Sequence, residues 1–155
     1  MKFLAPAACA TLFLIAAAPA AARPLPERGM TLEQIAEQMR EAGYKAQIVK
    51  EGERRHVASA TGGVNFEVYP DDCKEDRCAS MQFSAGFDMV KPVAPEKVNE
   101  WARTKRWARM HLDEEGDPFL SRDVNLAPGG TTESFAEELN IWDLMVGEFT
   151  GFIGW

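Results

Sequence analysis

The sequence predicts an α+β domain with its elements in the order αββββαββα. Three observations predict it. Apolar residues at helical spacing open and close the domain. Period-two alternation runs from Tyr44 to Phe87 in segments separated by turn residues. A short helical stretch and a second pair of alternating segments then precede the final helix. Strands grouped together, with helices at the N-terminus, middle and C-terminus, indicate an antiparallel β-meander plus a β-hairpin rather than a parallel α/β sheet.

The chain begins with a segment of different character. Lys2 supplies a positive charge, Leu12 to Ala18 is unbroken apolar sequence, and Ala20 and Ala22 form an A-x-A pattern. This predicts a cleavable export signal over residues 1–22, cut after Ala22. Pro6 and Pro19 bracket the apolar part, which is short for a spanning helix of about 20 residues. Ala7-Ala8-Cys9 partly resembles a lipobox, but it precedes the main apolar run instead of following it. The expected location is therefore periplasmic or secreted.

The whole chain has 155 residues, 17 basic and 24 acidic, with a formal charge of −7. That length suits one domain and is short for two well-filled cores. Loss of residues 1–22 removes one base and no acid, which leaves 133 residues at −8. An acidic chain of this kind argues against nucleic acid or an anionic membrane as partner. No stretch after Ala22 approaches the length of a membrane span.

Residues 23–30, with two prolines, read as a flexible lead-in, and residues 31–155 as a single domain. Thr31 has the marks of an N-cap, with Gln34 at the capping-box position. Leu32, Ile35, Ala36 and Met39 make an apolar stripe ending before Gly43, so the first helix spans Leu32 to Ala42. Tyr44–Lys50, Arg54–Ala60, Val64–Tyr69 and the alternation of Met81, Phe83, Ala85 and Phe87 predict four strands. Their short connections make them antiparallel neighbours.

After Cys9 departs with the leader, Cys73 and Cys78 remain. An even pair in an exported chain, enclosing a wholly charged loop, predicts a disulfide that clamps a hairpin. Metal ligation would need more Cys or His than His56 and His111 provide, and four intervening residues do not make a C-x-x-C redox motif.

Pro95 opens a second helix to about Lys105, with Val98, Trp101 and Ala102 as its buried stripe. Trp107–Asp113 and Phe119–Leu126 form the hairpin, joined by an acidic turn that lacks a calcium-loop frame. Thr131 or Thr132 caps a long last helix, where Phe135, Leu139, Trp142, Val146, Phe149 and Ile153 recur at spacings of 4 and 3. Ile141, Met145 and Phe152 widen the stripe beyond what packing on a sheet needs. Trp142, Met145, Phe149, Phe152 and Trp155 are therefore the candidate partner or dimer surface.

The chain resembles the YbjN family of bacterial proteins. The resemblance rests on Thr31-Leu32-Glu33-Gln34-Ile35, Gly63-Val64-Asn65-Phe66-Glu67-Val68 and the segment from Cys78 to Phe87. Val98-Asn99-Glu100-Trp101 and the Leu112–Asp117 turn complete it. It implies a fold like the type III secretion chaperones, which bind proteins and often dimerise, and a loosely defined role in sensory-transduction regulation. The signal sequence and cysteine pair depart from a cytoplasmic role.

No nucleophile elbow, zinc motif or phosphate-cradling loop is present in the sequence. No catalytic, metal or cofactor residues are assigned, and no cofactor is expected. Arg103, Lys105, Arg106 and Arg109, interleaved with Trp101 and Trp107, form a basic patch. Pairing with the acidic face Glu133, Glu137 and Glu138 is its expected role. The leading expectation is an exported, non-enzymatic protein-binding module that forms a homo-oligomer or holds a client. The alternative is a periplasmic small-ligand binder or hydrolase using the open sheet face, with Arg109, His111 and Asp113 as its polar groups.

Overall fold

The computed structural model describes residues 21–155. The export-signal expectation falls almost entirely on residues 1–20, outside the described residues. The elements follow the predicted order. They are α1 (Leu32–Glu41), β1 (Gln47–Glu51), β2 (Arg54–Thr61), β3 (Val64–Lys74), β4 (Arg77–Gly86), α2 (Glu96–Thr104), β5 (Arg109–Leu112), β6 (Pro118–Asn125) and α3 (Thr132–Ile153).

The six strands form one antiparallel sheet in the order β1-β2-β3-β4-β6-β5. The first four are the meander. The hairpin then folds back so that its second strand, β6, lies beside β4 and β5 becomes an edge. Val57 pairs with Val68, Val68 with Phe83, and Phe83 with Arg122, which sets one row of side chains toward the helices. The alternate positions, including Glu67, Gln82 and Asp123, face away. An antiparallel sheet with one packed and one polar face produces this alternation in the sequence.

Helices α1 and α3 start on side-chain caps. Thr31 and Gln34 form a complete capping box at α1, and Thr131 and Ser134 do so at α3. Each satisfies helix N–H groups that would otherwise lack partners. Leu32, Ile35, Ala36 and Met39 are all buried, as their spacing requires. Trp142 of α3 stacks on Phe83 at 5.4 Å and meets Phe66 edge-on at 5.6 Å. Further along, Phe149 contacts Phe87 and Trp101 at 5.2 and 5.0 Å. These aromatic contacts join the helical layer to the sheet, each adding about 0.5–1.5 kcal/mol beyond area burial.

Cys73 and Cys78 are bonded, with their Cα atoms 3.8 Å apart at directly opposed positions. The strands run through the cysteines and leave only Glu75-Asp76 as the turn, tighter than the loop expected between them. Residues 23–30 also differ from the expected flexible lead-in. Leu25 N–H donates to the Gly130 carbonyl (2.9 Å), and Met30 exchanges two backbone bonds with Cys78 at 2.9 and 3.1 Å. Arg23 forms an ion pair with Glu41. The segment is held because the N-terminus of α3 and the hairpin tip offer backbone partners far away in sequence.

Two other differences have local causes. Of the stripe expected to bury α2, Trp101 is buried, Val98 half-buried and Ala102 exposed, since α2 touches the core chiefly through one indole. Its N–H donates to the Ala108 carbonyl at 2.9 Å. The strand expected from Trp107 begins only at Arg109, because Trp107 adopts φ 75°, a left-handed geometry that ends strand pairing.

Candidate functional site

The end of the molecule built by α2, the C-terminus of α3 and the loop after β4 carries the site features. Among the five candidate surface residues, Trp142, Met145 and Phe149 are buried in the core. Helix α3 is apolar over so wide an arc because it touches α1 on one side and the sheet beneath, while Trp101 of α2 reaches its last turns. Phe152 is half-buried, its ring 5.3 Å from Trp101 and beneath the Lys97 ammonium at 4.6 Å. Trp155 leans on Phe87 at 5.1 Å and keeps 59% of its surface exposed. Three residues beyond Phe87, Val90 is fully exposed. Sequence reasoning missed Val90, which belongs to no periodic pattern.

Beside this end lies an open groove of about 610 Å³ between α2 and the β5–β6 turn. Val93, Val98 and Leu112 supply its apolar lining, and Asp113, Glu114 and Glu115 its charged rim; no base lines it. Its walls are tied together. The Asp113 carboxylate accepts N–H bonds from Glu115 and Asp117 at 2.9 and 2.8 Å. The Asp117 carboxylate accepts from Met89 N–H (2.9 Å), and Val93 N–H donates to the Gly116 carbonyl (3.0 Å). Asp113 is thus used internally, whereas Glu114 and Glu115 make no ion pair among the described residues. The acidic turn was visible in the sequence, but the apolar walls that adjoin it come from a distant loop and helix.

At the other end of α2 the basic residues separate into different roles. Lys105 pairs with Glu148 at 2.8 Å, and Arg109 pairs with Asp123. Glu138 is taken by Arg122, a buried arginine that also donates to the Trp107 carbonyl at 2.7 Å. The expected pairing of the patch with Glu133, Glu137 and Glu138 therefore does not form. Arg122 projects from β6 directly toward α3 and reaches Glu138 first. Arg103 makes no ion pair among the described residues, and Arg106 lies 5.0 Å from the exposed Trp107 ring.

The polar groups considered for a ligand site do not converge. His111 stacks on Phe119 at 5.2 Å on the outer sheet face. The Phe119 ring lies so close over Gly86 that an added Cβ would come within 2.6 Å of it. Arg109 is engaged with Asp123, and Asp113 lies in the turn. Burial tends to raise the Asp123 carboxyl, but hydrogen bonds from Gln82 and Arg109 outweigh it and hold the group below the usual range. Elsewhere on this face His56 is buried, 5.2 Å from Tyr69, and Glu67 is pushed up by burial. Among the described residues no group of three or more His, Cys, Asp and Glu is arranged to hold a metal. No helix among them is long and apolar enough to cross a membrane.

No curated protein matches the chain. A family model described as "Putative bacterial sensory transduction regulator" matches residues 31–153, from the α1 cap to the last residue of α3. The match covers the capping box, the whole sheet and all three helices, so the chain belongs to the YbjN family of bacterial regulators.

Proposed function

We propose that the chain is an exported, non-enzymatic regulatory module of the YbjN type that acts by binding protein, as a homodimer. The observation that carries this reading is the exposed apolar end, where Trp155, Phe152 and Val90 keep surface while the rest of the aromatic set is packed. Exposed aromatics beside a rigid core are the ordinary anchors of protein interfaces. The leader pattern and the Cys73–Cys78 bond support an oxidising compartment, the periplasm or the exterior.

The test is cross-linking in the envelope of the native cell, with wild-type chain and the Val90→Ser/Trp155→Ser variant as baits. Both positions are exposed, so thermal unfolding of the purified variant is expected to match wild type. A protein captured by wild type and lost from the variant supports the reading. An identical set on both baits overturns this end as the docking surface.

A further inference from the structure

We propose that the acidic groove of one copy receives the cationic end of α2 from a second copy, giving a two-fold dimer in which the contact occurs twice. The proposal rests on the homodimer of the preceding reading and assigns its interface.

The two surfaces are complementary in chemistry. The groove has Val93, Val98 and Leu112 along its walls, with three carboxylates and no base. The cationic end presents Trp107, 54% exposed, with Arg106 against its ring and Arg103 one turn earlier. Trp107 holds φ 75°, a conformation rare for a bulky residue, and its carbonyl is anchored by Arg122. The indole is therefore presented on a constrained stem, which lowers the ordering cost of binding.

Their placement on one helix makes the contact reciprocal. Val98 and Asn99 of the groove lie in the first half of α2, and Arg103 lies in its last turn. A helix of 9 residues is about 13 Å long. Asn99, Ala102 and Arg103 are all exposed and share one side at spacings of three and four. Ala102, the residue expected in the core, is a small exposed residue midway along this side, where a second helix can approach closely. Two α2 helices packed antiparallel about Ala102 place Arg103 and Trp107 of each copy over Glu114 and Glu115 of the other. A two-fold axis closes the assembly and leaves no free complementary surface to propagate it. At a net charge of −7 two copies repel overall, so association needs this local match of opposite charge and is sensitive to salt.

The experiment is sedimentation of the processed chain at up to about 100 µM, in low and high salt. The expected result is a dimer whose dissociation constant rises at least about 10-fold at high salt. Arg103→Glu/Arg106→Glu and Glu114→Lys/Glu115→Lys are each expected to sediment as monomers. An equimolar mixture of the two variants is expected to form a dimer again, because both contacts then regain opposite charges. That recovery also shows that each variant is folded. A wild-type monomer throughout this range overturns both the interface and the homodimer. A dimer that survives in both variants, or variants that stay monomeric when mixed, overturns the interface alone.

Discussion

Gly29→Ala should be among the most damaging single-methyl changes available in this chain. Gly29 has φ 84°, and a Cβ built there would lie 2.2 Å from the Cys78 carbonyl oxygen and 2.8 Å from its carbon. Both are backbone atoms, so no side chain can rotate away. The left-handed conformation alone costs a non-glycine residue about 1–2 kcal/mol. Relief of the collision would separate Met30 from Cys78, whose two backbone hydrogen bonds contribute about 1 kcal/mol each. The sum is about 3–4 kcal/mol. Gly62→Ala is the matched comparison: its φ is 56°, but nothing lies within 4 Å of the added Cβ. It carries the conformational cost without the collision, about 1–2 kcal/mol. Denaturant titration of both variants at constant slope measures the difference. If Gly29→Ala costs no more than Gly62→Ala, the bridge between the lead-in and the hairpin is not holding this segment, and the reasoning fails.

Reduction of Cys73–Cys78 should shift the denaturation midpoint by about 2 kcal/mol, as expected for so short a loop. The sheet signal in circular dichroism should survive, and intact mass should rise by two hydrogens. In the same spectrum, a chain lacking residues 1–22 checks the export expectation. Glu67→Gln should stabilise the protein at neutral pH and lose that advantage below about pH 4. Burial raises the Glu67 carboxyl, with His56 opposing and Glu51 reinforcing the shift. The folded chain therefore binds this proton more tightly than the unfolded chain, and stability falls as pH rises from the ordinary glutamate range through the folded value. Melting of both proteins from pH 4 to 8 would contradict this if the gap between them stayed constant.

What the sequence by itself determined were the features whose signals span a few residues. Thr31 and Gln34 stand three apart because a helix N-terminus needs reciprocal caps, and both were legible. Alternation over Val64–Val68 and Met81–Phe87 gave away strands with one packed face, and an even cysteine pair gave away its bond. The breadth of the apolar stripe on α3 was equally visible, but its meaning was not. Trp142, Met145 and Phe149 proved to be core because α1, α2 and the sheet converge on that helix.

Only the tertiary structure decided that β6 inserts between β4 and β5. It also decided that Arg122, not the α2 patch, reaches Glu138, and that Val93 and Val98 meet Glu114 and Glu115 around one groove. The physical reason is separation along the chain. Caps and periodicities are local energetics written within one turn or one strand. Sheet order, charge partners and grooves are chosen by packing among residues tens of positions apart, where no local pattern records the choice.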